Sequence, residues 1–193
     1  MSEKKGINKT YLEELSKQID LVLNNKLPSN NQIMVRKDTP KVLVENGVKN
    51  LPMLITQKHI KSIIYTLEEA QIMGMSIKDT NYHGLGKERL IQAIENLEDP
   101  MEIYEMGSAN YLIVTELYDK EKREIVIPIK LNGRGRYNGV FIDEHQIKSI
   151  YGRRGLKEYI NKNKFKSIYK KKNRISMKEY NIPTLPILHI NKV

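Results

Sequence analysis

The residues of this chain best suited to chemistry lie between Lys130 and Arg154, in KLNGRGRYNGVFIDEHQIKSIYGRR. Lys130, Arg134, Arg136, Lys148, Arg153 and Arg154 supply cationic donors, and Asn132, Asn138, Ser149 and Tyr151 supply hydrogen bonds. Gly133, Gly135, Gly139 and Gly152 leave the backbone open to close approach. Guanidinium forks and polar side chains on such a backbone suit a polyanion, a phosphodiester above all. For each residue taken singly, a solvated glycine-rich loop followed by a half-buried strand is an equal alternative.

Attack on a phosphodiester without a metal needs a base for the nucleophile's proton, an acid for the leaving oxygen, and cations around the phosphorane. His83, in the loop sequence TNYHGLG, is the candidate base or acid, because an imidazole titrates near neutrality. Arg134 and Arg136 would stabilise the phosphorane, and Ser149 or Tyr151 would donate to the phosphate or shuttle a proton. Lys130, Asn132, Asn138, Lys148, Arg153 and Arg154 are expected to hold substrate. His59 follows Lys58 on a stretch whose Ile60 and Ile63 form an apolar face, so it reads as an orienting or structural residue that borders the substrate. The competing readings are a satisfied turn histidine for His83 and a core tyrosine for Tyr151.

Charge distribution supports a nucleic-acid partner. The chain of 193 residues carries a net charge of +10, and residues 130–180 hold 15 Lys and Arg against 4 acids, a local excess of 15 − 4 = +11. The rest is close to neutral, with 33 − 15 = 18 bases and 23 − 4 = 19 acids. One basic third on a balanced body is the electrostatic footprint of a nucleic-acid binder. With no cysteine, disulfides, thiol catalysis and every Cys-based zinc site are excluded, and the four histidines form no HExxH pair. No cofactor or metal is expected. The start MSEKKGINKT has no apolar signal block, and no apolar run has the length of a membrane span, so the expected location is cytoplasmic.

The elements that must position these residues follow from periodicity. Thr10 and Glu13 form a capping-box pattern ahead of Leu12, Leu15, Ile19, Val22 and Leu23, which predicts an amphipathic helix of about four turns. A short strand is predicted over 32–36, a short helix after Thr39–Pro40, an extended piece over 52–55 and a helix capped by Thr56. A further helix covers 87–97. From Met101 the period becomes two, with strands predicted over 101–104, 111–118, 124–130 and 145–151, and a last strand in FKSIYKK after a short helix around Leu156 to Ile160. Pro128 calls for an edge or a bulge. If the chain stays extended past Lys130, then Lys130, Asn132, Arg134, Arg136 and Asn138 project from one side. The expected fold is α+β, with N-terminal helices packed on one face of a four- to five-stranded antiparallel sheet. The expected division is an N-terminal helix and linker over 1–31, a nuclease-like domain over 32–180 and an extended tail over 181–193.

The elements TPKVLVENGVKNLPMLITQKHI, HGLGKERL, NLEDPMEIY, IVIPIKLNGRGRYNG and IKSIYGRRG, in this order, resemble the C-terminal toxin domain of phage MuF-type proteins. That domain is grouped with the barnase, EndoU, colicin and RelE-like (BECR) ribonuclease superfamily. The resemblance spans roughly Val35 to Lys172. It implies a BECR-like, metal-independent endoribonuclease toxin that acts in the cytosol after delivery by a phage or a contact-dependent system. RNA would be its substrate and a small acidic immunity protein its partner. On the same resemblance His59 and His83 match family histidines, Asn132, Arg134 and Arg136 match the polar loop, and Ser149, Tyr151 and Gly152 match the SIYG element. These motifs stand here without a head-morphogenesis domain, as expected either of a free-standing relative or of a fragment. A catalytically inactive nucleic-acid-binding or inhibitor protein that uses the same basic face therefore remains the alternative.

Overall fold

Leu15, Ile19 and Val22 recur at helical spacing and are fully buried, which is why Lys9–Leu23 forms the first helix, α1. The computed structural model describes residues 9–172 apart from residue 79. Next come β1 (Gln32–Arg36), α2 (Lys41–Glu45), β2 (Met53–Thr56), α3 (Gln57–Ile64), α4 (Leu67–Ile72) and α5 (Lys87–Glu95). They precede β3 (Glu102–Glu105), β4 (Asn110–Tyr118), β5 (Glu124–Tyr137), β6 (Val140–Ile147) and β7 (Tyr151–Arg153). α6 (Leu156–Lys162) and β8 (Lys166–Lys170) complete the described chain. The extended tail expected over 181–193 lies outside the described residues.

The sheet is larger than four or five strands. Among the described residues seven strands run in the order β1-β2-β6-β5-β4-β3-β8, and an eighth, β7, pairs with β5. The meander β3-β4-β5-β6 is antiparallel, whereas β2 joins β6 in parallel through Met53 opposite His145 and Ile55 opposite Ile147. Helices cover both faces, so the sheet is not a one-sided platform. Ile113, Ile125, Ile127, Ile129 and Ile147 pack with α1, α3 and α5, while Leu112, Val114 and Val126 pack with Leu156 and Ile160 of α6. Alternate residues of β4 and β5 thus enter two different cores, as the period-two geometry of a strand requires. No described helix is long and apolar enough to cross a membrane.

Two irregularities in the β5 ladder decide where polar groups point. Leu131 and Asn132 oppose the single residue His145, a bulge in which Asn132 takes φ 53. The Asn132 N–H donates to His145 Nδ1 at 3.1 Å, and His145 Nε2 donates to the Lys49 carbonyl at 2.8 Å. His145 is fully buried and acts as a neutral clip. The bulge shifts the phase of the strand, so Lys130, opposite Gln146, lies on one face and Arg134 and Arg136, opposite Asp143 and Phe141, lie on the other. The expectation that Lys130, Arg134 and Arg136 share one side is therefore wrong by one residue of register. The second irregularity faces Pro128. Between the pairs Ile129–Ile147 and Val126–Tyr151 the opposing chain has one residue more than β5, which interrupts the expected strand over 145–151 at residues 148–150.

Glu144 is buried over Gly133 and Gly135, its Oε2 unpartnered, and a Cβ at Gly135 would meet both that carboxyl group and Gln32 Oε1. Burial pushes this carboxyl up to about 7, against smaller opposing effects of Gln32 and Lys148. A raised carboxyl favours the protonated folded state. Its contribution is complete below the ordinary value of 4.5 and is lost as pH rises through about 7. Glu144→Gln mimics the protonated acid, so its stability should exceed that of the parent by an increasing margin between pH 5 and pH 8. About 3 kcal/mol is expected from the size of the shift, read as the gap between urea unfolding free energies. A gap that does not change with pH would remove Glu144 from this role.

Candidate functional site

α3 ends at Ile64, and its last carbonyls need donors. The loop that carries His83 supplies them. His83 N–H donates to the Ser62 carbonyl at 2.8 Å, Gly84 to Tyr65 at 2.9 Å, Leu85 to Ile63 at 2.9 Å and Gly86 to Ile64 at 3.1 Å. Gly84 is required twice over, since its φ is +62 and a Cβ there would lie 2.6 Å from Thr66 Cγ2. Local backbone bonding thus fixes a histidine that sequence alone placed only in a loop.

The interruption opposite Pro128 brings the partner groups. His83 Nε2 and Ser149 Oγ are 3.0 Å apart, and the His83 ring stacks on Tyr151 with centroids 5.1 Å apart and planes at 23°. Together with Lys58, His59, Ser62, Thr80, Asn81, Lys148 and Arg153 these residues line a cleft of about 490 Å³. His59 is placed by α3, whose first turn is capped by Thr56 Oγ1 accepting from the His59 N–H at 3.2 Å. Its Nδ1 is buried without a partner. The Arg153 guanidinium carbon lies 3.7 Å from the Tyr159 ring centroid, which holds that side chain against α6.

Both imidazoles are neutral at pH 7. Burial, with the charge of Arg123 added, pushes His83 down to about 4. His59 is lowered by burial first and then by Lys148 and Lys58. Burial raises the Tyr151 phenol, so it keeps its proton. A neutral imidazole bonded to a hydroxyl can accept that hydroxyl's proton, and nearby cations stabilise the oxyanion that results.

Not every expected residue reaches this cleft. His59, His83, Lys148, Ser149, Tyr151 and Arg153 line it. Arg134 and Arg136 do not; they sit on the β5–β6 hairpin with their guanidinium carbons 5.6 and 5.9 Å from the Phe141 ring centroid. The register shift at Asn132 turned them away from Lys130. Lys130 is exposed opposite Asn110, Asn138 forms the hairpin turn at φ 48, and Arg154 is exposed in the turn before α6. Asn132 lines a separate cavity of about 570 Å³ with Lys49, Tyr111 and Asp143. That cavity is larger, but it pairs no imidazole with a hydroxyl, so the chemistry favours the smaller cleft.

Two contributors were not foreseen, Lys58 as a cleft cation and Arg123. Arg123 borders a recess of about 340 Å³ on the other side of His83, with Thr66, Tyr82, Glu121 and Gly152. Its Nε donates to Asp119 Oδ2 at 2.6 Å, and the four-residue spacing in DKEKR was the available signal.

Residues 75–182, more than half of the chain, match the model of the phage MuF-C-terminal domain. This chain belongs to that family. The MuF match contains His83, Ser149, Tyr151 and Arg153, while His59 and Lys58 precede it. The stretch from Val35 to residue 74, part of the wider resemblance, lies outside the match. No curated protein and no solved structure matches the chain.

Proposed function

We propose that this MuF-C-terminal domain is a metal-independent endoribonuclease toxin of a phage or mobile element, and that it cuts RNA by attack of a 2′-hydroxyl on the adjacent phosphate. The observation that carries this reading is a neutral, loop-fixed His83 within hydrogen-bonding distance of a hydroxyl, in a cleft shared with His59, Tyr151 and three cations. In the bound state the substrate 2′-hydroxyl takes the place of Ser149 on His83 Nε2. The nitrogen accepts the proton, the 2′-oxygen bonds to phosphorus, and the bond to the 5′-oxygen breaks as that oxygen takes a proton from Tyr151. Lys58, Lys148 and Arg153 face the charge on the phosphorane. A small acidic immunity protein would find its complement in the same cations.

The products would be a 2′,3′-cyclic phosphate and a free 5′-hydroxyl. The test is cleavage of labelled RNA in EDTA, with mass analysis of the ends. A single 2′-deoxy substitution at the cut position should block the cut, and linear 3′-phosphate products formed directly would contradict the mechanism. A base held near 4 stays unprotonated at pH 5. Cleavage at pH 5 should therefore remain within about twofold of that at pH 7, whereas an unperturbed imidazole would be almost wholly protonated. A loss of tenfold or more at pH 5 would exclude His83 as the base.

The inactive nucleic-acid-binding protein is the second reading, and one observation favours it: Ser149 already occupies the nitrogen that would do the work. It predicts salt-sensitive RNA binding with no product.

A further inference from the structure

Beyond the bulge at Asn132, β5 and β6 continue as a ribbon closed by Asn138 and Gly139, both at positive φ. A two-residue turn of that kind matches the right-handed strand twist and gives a rigid hairpin. One face of the ribbon is buried, with Glu144 lying over Gly133 and Gly135. The other face carries Arg134, Arg136, Phe141 and Asp143, as their cross-strand pairing requires. Phe141 is 60% exposed and Val140 beside it 63%. Among the described residues neither guanidinium is in an ion pair with a carboxylate. Asp143 sits opposite Arg134 without forming one, and Arg136 Nε donates only to the Gly139 carbonyl, at 3.3 Å.

We infer that this face binds single-stranded nucleic acid outside the cleft, with a base stacked on Phe141 and the flanking phosphates held by Arg134 and Arg136. An aromatic ring left in water and two cations beside it are the two components of a stacking platform. An acidic protein surface would account for the arginines but not for the exposed ring. The inference goes beyond the cleavage reaction and holds whether or not the cleft cuts.

The test is fluorescence anisotropy with a labelled single-stranded DNA oligonucleotide, which lacks the 2′-hydroxyl and survives any cleavage. Phe141→Ala should weaken binding by about tenfold, within the range for one lost stacked base. The Arg134→Ala/Arg136→Ala double variant should reduce the slope of log affinity against log salt by about 1.4, from about 0.7 per phosphate contact on a single strand. These residues lie outside the cleft, so melting temperatures and cleavage of a dinucleotide should match the parent. Parental affinity and salt slope in both variants would overturn the inference, including the case in which the face serves an acidic protein. So would a parent that binds no single strand at all. A parent that binds through this face but cuts neither the dinucleotide nor labelled RNA would support the ribbon site and refute the ribonuclease reading alone.

Discussion

Replacing His83 by alanine is expected to lower the rate of RNA cleavage by about a thousandfold, within the range for loss of a positioned acid or base, while the protein still melts cooperatively near the parental temperature. The fold should survive because the loop is held by main-chain bonds from residues 83–86 to α3, and these do not need the imidazole. What the substitution removes is the ring that faces Ser149 and stacks on Tyr151. Ser149→Ala is the informative companion. If Ser149 only occupies the place of the 2′-hydroxyl, its loss frees Nε2 and leaves cleavage near the parental rate. If the hydroxyl is itself the nucleophile, Ser149→Ala falls as far as His83→Ala. Cleavage undiminished in His83→Ala would end the case for this cleft as the catalytic centre.

The difference between His83 and Arg136 shows what could be read from the sequence. Helices and strands followed from spacing, because burial of Leu15, Ile19 and Val22 or of Ile125, Ile127 and Ile129 is a local property of period. The convergence of His83 with Ser149 and Tyr151 was anticipated only as a set of residue types and linked motifs. The contact itself depends on Pro128 interrupting one ladder and on Gly84 permitting one loop. Arg134 and Arg136 were assigned to the site from their charge and from the resemblance of the polar loop, whether strand or loop, and one extra residue at Leu131–Asn132 placed them on another face. Nothing in KLNGRGR announces that bulge, since an asparagine in the left-handed region reads equally well as a loop residue. The extra strands were harder still to see. β2 meets β6 in parallel through three pairs formed about ninety positions apart in the chain, and such non-local pairing leaves no mark in local periodicity.

The second large effect is expected at Gly152, where alanine should lower stability by about 3 kcal/mol, the upper end of the range for overpacking, and the melting temperature by roughly 10 °C for a domain of this size. Backbone conformation is not the cause, because Gly152 is absent from the residues with positive φ. The cause is Asp119. A Cβ on Gly152 would overlap the Asp119 carboxylate, and that group cannot swing aside. Its side chain is only 3% exposed, although the residue as a whole is half-buried, and it accepts from the Glu121 and Arg123 main-chain N–H groups at 2.9 Å each and from Arg123 Nε at 2.6 Å. Burial raises its proton affinity, but the hydrogen bonds from Arg123 and Glu121 outweigh that and hold the carboxyl below its ordinary value. Accommodating a methyl group means either breaking this arrangement or displacing β7, and β7 carries Tyr151 and Arg153 into the cleft. Activity should therefore fall together with stability. A double-variant cycle isolates the mechanism. Asp119→Ala alone loses the ion pair and destabilises the protein, but it also vacates the space, so adding Gly152→Ala should cost little more. If the two losses simply add, the overlap is not the cause, and Gly152 must be required for close approach to something other than Asp119.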